Sequence, residues 1–147
     1  LLAEAYSILH HLKFPPDKIG GIFSRWNNDQ LNSYLCEIST MLLCKTDATA
    51  SDFLIDKILD IAQMNGTGNW SIMEALGSES MVPVPTIAAA VWERIISANR
   101  FEFGTDSLHF LSDPLPKENE VQAILEDLKD ALYFAILLTQ AQGMEII

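Results

Sequence analysis

Apolar residues recur along the chain at the three- and four-residue spacing of amphipathic helices, and no segment shows the sustained alternation of a β-strand. Pro16 suits the first turn of a helix, Thr86 can cap another, and Ser71 with Glu74 forms a capping-box pattern. The sequence therefore predicts an all-α fold of six to seven helices in a single domain. We expect helices over residues 1–11, 16–26, about 28–44, 52–64, 71–77, 86–100 and 117–142.

The last predicted helix is apolar on most of its sides. Leucine and alanine form one stripe, and a second stripe adds further aliphatic and aromatic residues. The two stripes are Leu125, Leu128, Leu132, Ala135 and Leu138, and Val121, Ile124, Phe134, Ile136 and Leu137. Such a helix is usually buried from most sides. We therefore expect it to be the long, mostly buried centre of the fold, or to be shared with a partner subunit. We also expect the chain alone to expose apolar surface and to self-associate.

The charge balance limits the classes of partner. The 147 residues carry a net charge of −11, with 9 basic against 20 acidic residues. This balance argues against a nucleic-acid partner and against an anionic membrane surface. The longest uncharged apolar run, residues 131–144, is too short to cross a bilayer. Any anion site must therefore be local, built from one or two cations and backbone dipoles.

Both ends of the chain and its two cysteines add smaller expectations. The chain begins at Leu1 in what reads as the middle of a helix and stops at Ile147 on apolar residues, so we expect a domain truncated at both ends. Cys36 and Cys44 are eight residues apart on one predicted helix, roughly 12 Å, which is too far for a disulfide. Two buried, reduced thiols are typical of a cytoplasmic protein, and no nearby histidine completes a metal site.

Two features could bind an anion. The turn Gly66-Thr67-Gly68 places backbone N–H groups beside a hydroxyl, which suits an anion, although such a turn is also an ordinary end of one helix and start of the next. Arg94 lies on the predicted 86–100 helix, either as a solvated surface arginine or as a planar fork that binds phosphate.

A set of motifs resembles the C-terminal all-helical domain of the 6-phosphogluconate dehydrogenases. The motifs are Asp60–Trp70, Trp26-Asn27, Ser33–Ile38, Val82–Pro85, Arg94 and Ala131–Tyr133 with Ala141–Gly143. The resemblance covers nearly all of this chain but less than half of a full family member. It implies an NADP-dependent oxidative decarboxylation of 6-phosphogluconate to ribulose 5-phosphate in the pentose phosphate pathway. It also implies a cytoplasmic homodimer that uses no metal.

The resemblance also implies roles for individual residues. Thr67 and Arg94 would contact the substrate phosphate, with Gly66 and Gly68 forming the loop. The family has lysine at position 65 and usually at 69, whereas this chain has Asn65 and Asn69, so a charged donor is replaced by a neutral one. Asn65 is therefore expected to act as a weakened substitute.

The catalytic residues and the cofactor site are expected outside this chain. The family's catalytic lysine and glutamate-tyrosine pair would precede Leu1, so no residue here is assigned a catalytic role. No Gly-x-Gly-x-x-Gly motif occurs, so NADP would be bound mainly by a dinucleotide-binding domain absent from this chain. The isolated chain is therefore expected to be inactive. The alternative, motivated by the two missing lysines, is a non-catalytic helical dimerisation or scaffold module derived from the same domain.

Overall fold

The computed structural model describes residues 1–47, 52–59, 61–77, 81–99 and 116–147. Within these ranges the chain is all-helical, as the sequence predicts. The α-helices are α1 (Leu2–His11), α2 (Pro16–Asn27), α3 (Tyr34–Leu43), α4 (Thr67–Gly77), α5 (Pro85–Ala98) and α6 (Glu118–Glu145), with a 3-10 turn at Leu54–Lys57. The extended backbone in the described part makes one isolated bridge, between Thr46 and Phe53. The chain divides into two compact units.

The first unit comprises Leu1–Leu59 and Pro114–Tyr133. Its largest fully buried side chains are Phe23, Leu9, Ile19 and Cys36, contributed by α1, α2 and α3. Helices α2 and α3 approach closely, because a Cβ on Gly20 would lie 2.6 Å from the sulfur of Cys44. A side chain at this position would meet Cys44 and the adjoining end of α3, so Cys44 would have to move.

Helix α3 starts later than the sequence suggested. The start expected at about residue 28 is wrong, because the cap is Ser33, whose hydroxyl accepts the Cys36 N–H at 3.2 Å. The side chain of Asn27 instead accepts the Ser33 N–H at 2.9 Å and so stabilises the turn between α2 and α3. The expectation of two buried thiols is also wrong, since Cys36 is buried but Cys44 is exposed at the end of α3.

The predicted helix over residues 52–64 is absent from the part of it that the structure describes. Only Leu54–Lys57 is helical, as a single 3-10 turn, and residues 61–65 have no helical structure. The apolar spacing here misled the prediction, because Ile58 and Leu59 are exposed rather than packed. Short helices depend on packing of their apolar face, and β-branched isoleucines add little intrinsic helix propensity.

The second unit comprises Asp60–Asp113 and Phe134–Ile147. Its buried cluster joins α4 to the segment that leads into α5 and consists of Ala75, Val82 and Val84, with Ile87 and Ile146 packed against it. The Val82 N–H donates to the Ala75 carbonyl at 2.9 Å. Residues 81–84 are not helical, as Pro83 and Pro85 predict, and Pro85 then occupies the first position of α5.

Helix α6 is less buried than its sequence suggested. Among its described residues the buried apolar side chains are Leu125 and Leu132, and full burial of a leucine is worth about 1.5–3 kcal/mol. Phe134 is 62% exposed, and Leu137 and Leu138 are also exposed. The long helix is therefore confirmed, and part of its apolar surface is exposed in this chain by itself, as the expected exposure of apolar surface predicts. No helix among the described residues is both long and apolar enough to cross a membrane.

Candidate functional site

Helix α4 begins at a glycine turn with unpaired backbone donors. The Gly66 carbonyl accepts the Trp70 N–H at 3.2 Å, so Gly66 precedes the helix and Thr67 is its first residue. Gly66 has a φ of +93°, which an L-amino acid rarely adopts. The N–H groups of Thr67, Gly68 and Asn69 fall in the first turn, where a helix offers no acceptor. No residue in the described ranges accepts a hydrogen bond from them, so these donors are available to an anion.

Two exposed side chains lie at this helix start. The Thr67 hydroxyl donates to the side-chain oxygen of Asn65 at 3.1 Å. The Thr67 carbonyl accepts the Ser71 hydroxyl at 3.1 Å, so Ser71 lies within the helix. The expected capping box that begins at Ser71 is therefore wrong, because Gly66 starts the helix one turn earlier. The Thr67 hydroxyl has lone pairs free, and rotation about its Cβ–Oγ1 bond would turn its proton toward a ligand.

Gly68 allows α4 to start in direct contact with α5. A Cβ on Gly68 would lie 2.6 Å from the Cγ2 atom of Val91, which is closer than real Cβ contacts. The glycine therefore has a packing role. It brings the unpaired donors of the first turn of α4 against the middle of α5.

The segment before α4 contacts α5 at a second point. The Ala62 N–H donates to the Ser97 hydroxyl at 3.1 Å. Residues 62–68 thus contact α5 at Ser97 with one end and at Val91 with the other. Arg94 lies midway between these two positions, in the same row of residues spaced three apart, and its side chain is exposed. Arg94 is thus about one helical turn from each of the two α5 residues that residues 62–68 contact.

Arg94 is available to bind a ligand. Among the described residues, no carboxylate lies within ion-pair distance of its guanidinium group. Two other cations do have such partners, since Lys57 pairs with Asp47 and Lys129 pairs with Asp29. The five residues expected at the site, Asn65, Gly66, Thr67, Gly68 and Arg94, all belong to the second unit.

The start of α5 is capped by Gln142, a role that the sequence did not predict. Thr86 was expected to cap this helix, but α5 begins at Pro85, and Thr86 is its second residue. The side-chain oxygen of Gln142 accepts the N–H groups of Thr86 and Ile87 at 3.0 and 3.4 Å. Its amide nitrogen donates to the Thr86 hydroxyl at 2.9 Å. The available signal was a glutamine within an apolar run, because a polar group that is partly buried needs partners.

The cysteines form no site in the part of the chain that the structure describes. The Cys36 thiol donates to the Phe23 carbonyl at 3.5 Å, and burial raises the pKa of this thiol. No group of three metal-ligating side chains occurs among the described residues.

Comparisons with known proteins agree with the motifs. The family model described as 6-phosphogluconate dehydrogenase, C-terminal domain, matches residues 1–147. The decarboxylating 6-phosphogluconate dehydrogenase of Synechocystis is 40% identical over the whole chain, and that of Lactococcus lactis subsp. cremoris is 35% identical over 97% of it. The chain spans only 30% of the length of each of these relatives.

A solved structure of a related protein has the same fold in the matching region. The Plasmodium falciparum 6-phosphogluconate dehydrogenase, described in its apo form and in complexes with its cofactor NADP+ and its substrate 6-phosphogluconate, superposes with a TM-score of 0.82. That protein is 36% identical, and the match covers 99% of this chain and 31% of the solved chain. The sequence motifs, the all-helical fold and the family match over every residue together identify the chain as a member of the 6-phosphogluconate dehydrogenase family, matching its C-terminal domain.

Proposed function

We propose that this chain is part of an NADP-dependent 6-phosphogluconate dehydrogenase that decarboxylates its substrate oxidatively to ribulose 5-phosphate in the cytoplasm. Support comes from the match over residues 1–147 and from relatives with that activity in their names. The chain covers about a third of the Plasmodium falciparum enzyme, which is described with the substrate and cofactor bound. NADP would be bound mainly by residues outside this chain, and we assign no contact with it here.

The role proposed for this chain is to bind the phosphate group of the substrate. The observation that carries this proposal is the course of residues 62–68, which contact α5 on both sides of Arg94 and end at the unpaired donors of α4. A phosphate there would accept N–H groups of the first turn, supported by the positive end of the helix dipole. Arg94 would add a planar, charged donor, and Thr67 a hydroxyl.

Asn65 would weaken this site without abolishing it. Its side-chain oxygen accepts the Thr67 hydroxyl, so the asparagine also orients the residue that would contact the phosphate. Hydrogen bonds to charged partners are worth roughly 1.5–3 kcal/mol and neutral pairs about 1 kcal/mol. We therefore expect a functional site with a lower phosphate affinity than one with lysine at this position.

The exposed end of α6 supports a homodimer. Phe134, Leu137, Leu138 and Met144 are exposed apolar residues in its last three turns. Apolar surface of this kind on a helix is typical of a subunit interface. We propose that a second copy of the protein covers this surface.

The alternative function is a non-catalytic helical dimerisation or scaffold module. Asn65 and Asn69 motivate it, because both positions carry neutral side chains at a site where an anion benefits from charge. The two functions differ in whether the protein binds a phosphorylated sugar acid.

The test is an assay of the full-length protein that contains these residues. The purified protein is given NADP and 6-phosphogluconate, and NADPH formation is followed by absorbance. We expect NADPH formation with the full-length protein and none with residues 1–147 alone. A full-length protein that neither forms NADPH nor binds 6-phosphogluconate would favour the scaffold module.

A further inference from the structure

The first turn of α5 lacks a cap of its own. Val84 occupies the position before the helix, and its aliphatic side chain cannot accept a hydrogen bond. Pro85 has no N–H group, so the donors that need partners belong to Thr86 and Ile87. These residues are partly buried, where an unpaired donor is costly. The cap must therefore come from elsewhere in the chain.

Gln142 of α6 supplies this cap through a single amide group. Its oxygen accepts both N–H groups, and its nitrogen donates to the Thr86 hydroxyl. The last contact fixes which way the amide points, because the reversed amide would place its own donors against the two N–H groups. Three hydrogen bonds thus join residues that are 56 and 55 positions apart in the sequence.

This cap affects the position of Arg94. Thr86 and Arg94 are eight residues apart on α5, about 12 Å along a rigid helix. Val91 meets Gly68 without space for even a Cβ atom, so this contact holds the middle of the helix, and the cap fixes the direction of the helix about that point. A change at the first turn of α5 therefore alters where Arg94 lies relative to the Asn65–Gly68 turn.

We propose that Gln142 is a positioning residue, which fixes α5 so that Arg94 lies beside the uncapped start of α4. This inference rests on the proposed phosphate site. Gln142 itself touches no substrate in this account, and its effect on binding is exerted through the Thr86 and Ile87 N–H groups.

The test compares two variants of the full-length protein. Gln142→Met keeps the length of the side chain but removes its acceptor and its donor. Gln142→Glu keeps an acceptor for both N–H groups, can accept the Thr86 hydroxyl, and places a negative charge at a helix N-terminus, which is favourable. Gln140→Met is the matched control, since Gln140 is exposed on the same helix.

Two quantities are measured for each variant: hydrogen exchange at the amides of Thr86 and Ile87, and the KM and kcat for 6-phosphogluconate. For Gln142→Met we expect faster exchange at both amides and a KM raised roughly 2- to 30-fold, the range typical of coupling through packed contacts. The kcat should stay nearly constant, because a phosphate contact binds substrate and transition state alike. Gln142→Glu and Gln140→Met should resemble the wild type in both measurements.

Each contrary result has a separate meaning. Unchanged amide exchange in Gln142→Met would overturn the cap, and faster exchange with an unchanged KM would overturn the positioning role. An equal loss in Gln142→Glu and Gln142→Met would also overturn it, because the acceptor would then not matter. A wild-type protein that does not bind 6-phosphogluconate would overturn the proposed function, while amide exchange would still report whether the cap exists.

Discussion

The first turns of α4 and α5 both present backbone N–H groups, but only those of α5 have acceptors among the described residues. Each offers first-turn N–H groups that the helix itself cannot satisfy. At α5 a side chain from α6 takes these donors, so they serve the fold. At α4 a glycine with φ of +93° precedes the helix, and no described residue takes the donors. A helix start is therefore a candidate ligand site only where the protein leaves its backbone donors without a partner.

The surroundings of the two helix starts differ as well. We call the first-turn N–H groups of Thr67, Gly68 and Asn69 the open start of α4. The site proposed there includes Arg94, which has no carboxylate partner in the described ranges. The net charge of −11 repels an anion at long range. Short-range donors and one well-placed cation must then supply the binding free energy.

The largest expected effect comes from removing the cation beside the open start. We expect Arg94→Ala to raise the KM for 6-phosphogluconate roughly 10- to 100-fold, since a charge-assisted contact is worth about 1.5–3 kcal/mol. The measurement is steady-state kinetics of the full-length protein. Arg25→Ala is the control, because Arg25 is an exposed arginine on α2 in the other unit. Equal effects of both substitutions would show that general charge, and not a site at α4, sets the affinity.

The next effect concerns the contact that holds the open start against α5. Gly68→Ala would place a Cβ 2.6 Å from Val91, and such overpacking typically costs about 1–3 kcal/mol. We expect a lower midpoint of thermal unfolding and a higher KM. Gly21→Ala is the control, since a Cβ there meets nothing within 4 Å in the middle of α2.

The unfolding midpoint of the control, Gly21→Ala, should change in the opposite direction. Alanine in a helix interior is more favourable than glycine by up to about 1 kcal/mol, so Gly21→Ala should raise the unfolding midpoint. A Gly68→Ala protein as stable as the wild type would mean that α4 and α5 are not in tight contact at this point.

A smaller effect should follow from adding charge at the open start. Asn65→Lys replaces a neutral donor with a charged one, so the KM for 6-phosphogluconate should fall roughly 3- to 10-fold. The gain should shrink as salt is added, because the new cation is exposed. Gln30→Lys adds the same charge on an exposed residue of the other unit. If both lysines lower the KM equally, position 65 has no special relation to the phosphate.

Much of the fold could be predicted from the sequence because its helix ends carry local signals. Pro16 and Pro85 mark the first turns of α2 and α5, and the long apolar pattern after Lys117 marks α6. The sequence predicted the wrong start for α3, because asparagine and serine are equally favoured as N-cap residues and several asparagines lie near Ser33. Only the observed bond from the Cys36 N–H to the Ser33 hydroxyl identifies the cap.

The remaining errors concern contacts between residues distant in sequence. An apolar spacing at residues 52–64 predicted a helix, yet Ile58 and Leu59 have no core to pack against and remain exposed. The cap that Gln142 gives to α5 joins residues 56 positions apart, and helix periodicity contains no information on such a pair. The residues proposed for the site came from the family resemblance, whereas the approach of Arg94 to the turn depends on Gly68 and Ser97.

The most direct test of the open start is to measure what the phosphate group itself adds to binding. The full-length protein is titrated by calorimetry with 6-phosphogluconate and, separately, with gluconate, which is the same sugar acid without the phosphate. We expect 6-phosphogluconate to bind at least about tenfold more tightly, as one charge-assisted contact provides. Equal affinities for the two ligands, or no binding of either, would contradict a phosphate site at the start of α4.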